Sequence, residues 1–363
     1  MPDFSDFQKL VRFTRAETIG NGHLKEDFIV QCNFDNQRCG PENFKTGQFD
    51  KLGNCFSFNS VQHDISVPPL NTSQTGASFG LKLTLFIDKD EYLGIAGQFS
   101  GAKLIISNPY EHPSRFAESI NLAAGTLTVV SMHQELLSRQ SSPYSTCSQS
   151  WPENLELNHM KDRFDYTVPF CEDLCMRNYI ATNCNCSWDP DRIYSSNPEI
   201  IERSRNQCHI WRPAQRACIE ASVQQFLNEI QSCRCSQECS KRKLKFYSST
   251  SEWPSEAYTP YLAMLLEKSH STAVFDFVMK SLETSRGQNV VLKSILQENF
   301  VRVEIHFITL DFTHIAEVPK YNMAMLFGTL GGNLGLWLGW SLMTLFEMFQ
   351  WVYFCAKIAL NQK

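Results

Sequence analysis

The sequence predicts an α+β fold: a disulfide-rich ectodomain carried on one C-terminal transmembrane helix. Three observations lead there. Ten of the 14 cysteines lie between Cys147 and Cys239, a density that belongs to oxidised, stapled modules rather than to cytosolic enzymes. The 26 residues from Tyr321 to Phe346 carry no charge, and a helix of that length rises ~39 Å, more than the ~30 Å hydrocarbon thickness of a bilayer. Segments of alternating polarity lie on both sides of the cysteine block, so a sheet built from strands before and after an inserted module is the economical architecture.

Taken along the chain, residues 1 to 30 are charged throughout, from Asp3 and Asp6 to Glu26 and Asp27, and leave no apolar run for a signal peptide or a first span. Thirteen cysteines nevertheless precede the C-terminal span. Either that span doubles as a late signal-anchor, or the chain lacks its natural start. Leu81 to Ile87 and Gly125 to Ser131 read as strands, and so does Val301 to Phe307, where Val301, Val303, Ile305 and Phe307 alternate with polar residues. Ser66 to Gly80 and Ser248 to Pro260, rich in Ser, Thr, Pro and Gly, read as loops. Pro213 to Glu229 reads as a helix, with Ala217, Val223, Phe226 and Leu227 on its apolar face. A buried core helix competes with the membrane reading of the uncharged run. The lysines beyond it, Lys357 and Lys363, favour a cytoplasmic C-terminus.

Composition excludes several functions. The formal net charge is −5, with 33 Lys+Arg against 38 Asp+Glu in 363 residues, which leaves no cationic excess for a nucleic-acid partner. There is no HExxH, GxSxG, GxGxxG or phosphate-cradling loop, so no enzymatic centre is expected. No metal site and no cofactor are expected either.

Within the cysteine block, Cys171 and Cys175 are i and i+4, one face of a helix about 6 Å apart, while Cys233 and Cys235 are i and i+2, one face of a strand about 6.6 Å apart. A helix laid antiparallel beside a strand would form a two-rung ladder, Cys171 with Cys235 and Cys175 with Cys233. Zinc is the competing use of close cysteine pairs, but these are CxxxC and CxC spacings rather than CxxC knuckles.

These residues resemble the epithelial sodium channel, degenerin and acid-sensing ion channel superfamily. GNCFSFN (Gly53 to Asn59) is similar to its GxCYTFN strand, and PYSTC (Pro143 to Cys147) to its P[YW]xxC motif. CEDLCMRNYIATNCNC (Cys171 to Cys186) and CRCSQEC (Cys233 to Cys239) resemble its thumb cysteines in number and spacing, and GTLGGNLGLWLGWSLMTLFEM (Gly328 to Met348) its second membrane helix. The likeness runs from about residue 20 to 355.

The resemblance implies a partial finger, palm and knuckle over 1–146, a cysteine-rich thumb over 147–239, and palm strands, knuckle helices and wrist over 240–320. A transmembrane pore helix over 321–356 and a short cytoplasmic tail over 357–363 follow. It implies the pairs Cys32 with Cys39, Cys147 with Cys239, Cys171 with Cys235, Cys175 with Cys233, Cys184 with Cys218 and Cys186 with Cys208. Cys55 is left unpaired. It also implies a voltage-independent, sodium-selective, amiloride-sensitive trimeric channel in the cell membrane, single- or multi-pass, with its cysteine-rich domain outside. The partners are membrane lipid, like or unlike subunits in the trimer, and the blocker amiloride.

By the same resemblance, Gly339, Trp340 and Ser341 form the selectivity filter for the permeant sodium ion, where a small residue lets the backbone approach and oxygens replace hydration. Trp340 departs from the usually small middle residue. Gly328, Gly331, Gly332 and Gly335 belong to pore and gate, with Gly335 also at the blocker position; the bland reading of Gly331, Gly332, Gly335 and Gly339 is a small-residue packing face. Glu347 is either a carboxylate ring at the inner mouth or a solvated charge ending the span. Tyr144 matches the aromatic that couples thumb to membrane at the wrist. Asn71, in Asn-Thr-Ser, is a glycosylation acceptor if that loop is extracellular. Proton gating is not expected: Glu220 has no partner at Gln224, and Ile95 to Lys103 lacks paired acids. The alternatives are a truncated, non-conducting subunit that modulates full-length relatives, and a single-span cysteine-rich receptor or adhesion protein.

Overall fold

The computed structural model describes residues 20–49, 53–60, 68–92, 100–112, 118–152, 155, 164–187, 197–209, 212–228 and 233–361. It divides into two compact units, Met1–Ala316 and Glu317–Lys363. Much of the expected finger stretch from Ile95 lies outside the described residues, as do residues 1–19.

The first unit is organised by a six-stranded sheet. Its strands are β1 (Ile29–Phe34), β2 (Gln37–Cys39), β5 (Leu81–Phe86), β8 (Thr126–Ser138), β9 (Ser240–Glu252) and β10 (Phe300–Ala316), in the order β2-β1-β5-β10-β8-β9. Two hairpins are not hydrogen-bonded into it, β3 (Phe44–Phe49) with β4 (Gly53–Phe58) and β6 (Gly101–Ile105) with β7 (Ser119–Ala123), but they bury Phe44 and Leu122 in its core. The period-two pattern explains the first core: Val301, Val303 and Ile305 of β10 are buried with Leu83 and Leu85 of β5 and Val130 and Met132 of β8. Each such side chain contributes about 1.5 to 3 kcal/mol by leaving water.

The opposite face carries three helices, α4 (Thr259–Glu267), α5 (Thr272–Ser285) and α6 (Asn289–Asn299). Leu262, Leu266, Val274, Val278, Leu292 and Leu296 pack there against Phe86 and Phe300. Ser271 caps α5, its hydroxyl accepting from the Val274 amide at 3.1 Å and donating to Asp27 at 2.6 Å.

Strands β8 and β9 pair antiparallel along their whole length, from Thr126 opposite Glu252 to Ser138 opposite Ser240. The cysteine block is therefore an insertion that leaves and re-enters the sheet at one end of neighbouring strands. It contains α1 (Val168–Cys184), α2 (Pro198–Ser204) and α3 (Pro213–Asn228).

Three local expectations change. Ser248 to Glu252 is strand, not loop: β9 is an edge strand, so its outer residues can be polar, and its ladder to β8 supplies the hydrogen bonds. Cys233 to Cys235 is not a strand, because Arg234 turns the backbone to φ 51° between them. In α3 the buried stripe is Ile219, Ser222 and Phe226, while Ala217 and Leu227 face out. Cys218, bridged to Cys184 of α1, fixes that rotation.

Candidate functional site: an interrupted apolar helix and a stapled module

The uncharged run does not fold as one helix. It forms α7 (Met323–Leu338), which stops, and α8 (Leu342–Asn361), with three residues between them. Helix α7 starts at Asn322, whose side chain accepts from the Met325 amide at 2.7 Å. It ends because Gly339 adopts φ 63° and ψ 18°, a conformation that costs a residue with a Cβ about 1 to 2 kcal/mol. The Gly339 amide then bonds to the Gly335 carbonyl at 3.1 Å, the single bond of an αL helix closure, and the Trp340 amide reaches further back to the Leu334 carbonyl at 3.3 Å. A Cβ on Gly339 would meet nothing within 4 Å. Glycine is required there by backbone conformation, not by space.

The next helix is capped as deliberately. The Ser341 hydroxyl accepts from the Thr344 amide at 3.3 Å, and the Thr344 hydroxyl accepts from the Ser341 amide at 2.8 Å. This is a reciprocal capping box with threonine in the place usually taken by Glu or Gln. Gly339, Trp340 and Ser341 are thus the whole of the interruption. Gly335 is the last residue of α7 whose carbonyl accepts from the helix closure, so the carbonyls of Leu336, Trp337 and Leu338 lie beyond it. That end carries the negative pole of the helix dipole and favours a cation.

The expected single transmembrane helix over 321–356 is corrected accordingly. Among the described residues no single helix is long and apolar enough to cross a membrane. Helix α7 has 16 residues, about 24 Å of rise, and α8 carries Glu347 and Lys357. Both helices are bare: Trp337 is 81% exposed, Leu342 74% and Phe349 70%. Helices apolar on every side need lipid or other helices around them. An added Cβ at Gly328, Gly331 or Gly332 would also meet nothing, and at Gly335 only the Trp340 carbonyl at 3.6 Å. Glu347 is exposed on α8.

In the stapled module, all ten cysteines are consumed by five bridges: Cys147–Cys239, Cys171–Cys235, Cys175–Cys233, Cys184–Cys218 and Cys186–Cys208. The two rungs on α1 have equal Cα separations of 6.0 Å. Cys32–Cys39 closes the β1–β2 hairpin, and Cys55 of β4, half-buried opposite Gly47, is in none of the six bridges. Among the described residues no group of three or more His, Cys, Asp or Glu is placed to hold a metal ion. Tyr144 is 62% exposed. Asn71 is exposed, with the Ser73 hydroxyl donating to Asp35 at 2.7 Å. Glu220 pairs with Arg216 at 2.8 Å on the outer face of α3.

The base of this module holds a group of acids that are far apart in sequence. Buried Glu238, next to Cys239, accepts from the Val168 amide at 3.0 Å, capping α1, and pairs with Lys241 at 3.3 Å. The Asp165 amide donates to the Tyr110 carbonyl at 2.9 Å, which brings Glu111 into the same neighbourhood. Burial pushes the Glu111 carboxyl up to about 7, Lys241 opposes the rise, and Asp165 and Glu238 add to it. Glu172 is raised for the same reasons, burial first and Glu238 second. The Tyr166 hydroxyl donates to the Ser236 carbonyl at 2.5 Å and is pushed up to about 12 by burial, then by Glu238 and Glu172. Thr344, Glu111 and Glu238 were not singled out from the sequence. Only Thr344 leaves a local signal there, the S-x-x-T spacing.

With this geometry in view, comparison with known proteins is direct. The sequence model of the amiloride-sensitive sodium channel family matches residues 4–351. The chain is 27% identical over 332 residues to epithelial sodium channel subunit gamma of Neoceratodus forsteri, covering 91% of this chain and 46% of that protein. It is 24% identical over 335 residues to subunit beta of Mus musculus, 91% and 48% of the two chains. To subunit gamma of Bos taurus it is 25% identical over 356 residues, 97% and 50%. The chain spans about half the length of the curated relatives it matches. A family match from residue 4 to 351, joined to six disulfides and a capped helix interruption, leads to one conclusion: the chain belongs to the amiloride-sensitive sodium channel family.

Proposed function

We propose that this chain is a subunit of a voltage-independent, sodium-selective, amiloride-sensitive trimeric cation channel of the cell membrane, opened by motion of its ectodomain. The observation that carries this reading is the break at Gly339, Trp340 and Ser341, inside 26 uncharged residues, with free carbonyls on its N-terminal side. Those carbonyls and the Ser341 hydroxyl are the ligand type that replaces the hydration of a small monovalent cation. Gly335, one turn earlier, is the proposed blocker position, and Gly328 the place where a larger side chain disturbs the gate. Glu347, about 9 Å further along α8, is the candidate for a carboxylate ring at the inner mouth. The stapled module is the lever: five bridges make it stiff, and both its ends join the sheet whose strand β10 leads into α7.

Expression in oocytes, alone and with a full-length relative, tests the reading. An amiloride-blocked inward sodium current, abolished by Gly339→Arg with unchanged surface abundance, is expected. Normal current in Gly339→Arg would overturn it. Reduction of a relative's current without any current of its own would favour the modulating subunit instead.

A further inference from the structure

The interruption between α7 and α8 is held by a residue outside the Gly-Trp-Ser triplet. The Thr344 hydroxyl donates its single proton to the Ser341 carbonyl at 2.7 Å and takes the Ser341 amide on a lone pair at 2.8 Å. The Thr344 amide donates to the Ser341 hydroxyl at 3.3 Å, and the Leu345 amide also reaches the Ser341 carbonyl at 3.2 Å. Every polar group of Ser341 is thereby tied to the first turn of α8, three of its four contacts running through Thr344. Charge chemistry rules against glutamate at this position. A capping box normally closes with Glu or Gln, but a carboxylate here would place a charge inside a run that carries none from Tyr321 to Phe346. A threonine closes the same box without one.

We propose that Thr344 is a positioning residue of the ion path: its hydroxyl fixes the orientation of Ser341 and so the width and ligand geometry of the constriction. This rests on the reading of residues 339–341 as the ion-selective segment. Valine at 344 keeps the β-branched shape and removes the hydroxyl, whereas serine keeps the hydroxyl and removes the methyl group. The full chain in lipid nanodiscs, as wild type, Thr344→Val and Thr344→Ser, is followed by amide hydrogen exchange. In parallel, the variants are co-expressed with a full-length relative, and the sodium-to-potassium permeability ratio is taken from reversal potentials.

Thr344→Val is expected to speed exchange at the Ser341 amide about five- to tenfold, the loss of one hydrogen bond, and to lower the permeability ratio. Thr344→Ser is expected to retain both. Unchanged exchange in Thr344→Val overturns the proposal whatever the currents do. Faster exchange with an unchanged permeability ratio also overturns it, because Thr344 is then a helix cap and nothing more. If the wild type yields no sodium-selective current, the channel reading fails by itself, and the exchange result still decides whether Thr344 holds Ser341.

Discussion

Gly339→Ala isolates backbone conformation from everything else at the helix break. The added methyl meets no atom within 4 Å, so no clash contributes. Two terms remain. Keeping φ at 63° costs an alanine about 1 to 2 kcal/mol, and alanine gains about 1 kcal/mol over glycine if the segment straightens into continuous helix. Together they shift the ratio of broken to straight helix by roughly 30- to 150-fold toward straight. Gly339→Asn adds a larger side chain than alanine but tolerates the left-handed conformation far better. If the break makes the ion-selective segment, sodium-to-potassium permeability falls in the order Gly, Asn, Ala at matched surface abundance. Reversal potentials under bi-ionic conditions measure it. An alanine variant as selective as wild type, or an asparagine variant worse than alanine, would refute the claim that the left-handed glycine creates the selective geometry.

The disulfides give a second expectation. With Cys171–Cys235 intact, removing Cys147–Cys239 releases a path of about 30 residues rather than the full separation of 92, and loop entropy sets the cost at about 3.6 kcal/mol. Removing Cys175–Cys233 releases only about eight residues, about 2.5 kcal/mol. Urea unfolding of the paired Cys→Ala variants should rank them in that order, and a reversed order would count against the nested-loop account. Glu111 supplies a pH expectation. Its folded carboxyl titrates near 7 instead of near 4.5, so the stability it contributes is complete below about pH 4.5 and lost as pH rises through about 7. Glu111→Gln should therefore match wild type near pH 4 and melt higher at pH 8, by the equivalent of about 1 to 2 kcal/mol after allowance for solvent at this half-buried site; equal melting at both pH values would remove the acid group from the stability argument. Asn71→Gln should increase gel mobility of the protein from a secretory host by one glycan, and no shift would leave the exposed sequon unmodified.

What was legible in the sequence is local. Val301, Val303 and Ile305 announce β10 by alternation, because one face of that strand is buried and the other is not. Cys171 and Cys175 announce a helix face because a turn brings i and i+4 together. Where the outcome depends on partners far along the chain, the pattern is silent. Ser248 to Glu252 carries no apolar signal because its ladder partner, β8, supplies the reason for extension. Glu111, Asp165, Glu172 and Glu238 share one neighbourhood only after the module folds back on its own base. Hydropathy misreads Tyr321 to Phe346 as one helix for a different reason: it scores transfer to lipid and ignores backbone conformation, so a left-handed glycine followed by a serine cap is invisible to it.

On the proposed reading of the break as an ion path, that omission matters for the sign of the ion. A break in a helix exposes two opposite poles, carbonyls at the end of α7 and amides at the start of α8. If both were equally bare, neither cation nor anion would be preferred. They are not equal. The Thr344 amide already has the Ser341 hydroxyl as acceptor, and the Ser341 amide has the Thr344 hydroxyl. On the other side, the carbonyls of Leu336, Trp337 and Leu338 lie beyond the last acceptor of the helix closure. With the Leu342 and Met343 amides still open against the carbonyls of Leu336, Trp337 and Leu338, the caps tip the proposed site toward a cation by answering part of the positive pole, without a single charged residue between Tyr321 and Phe346.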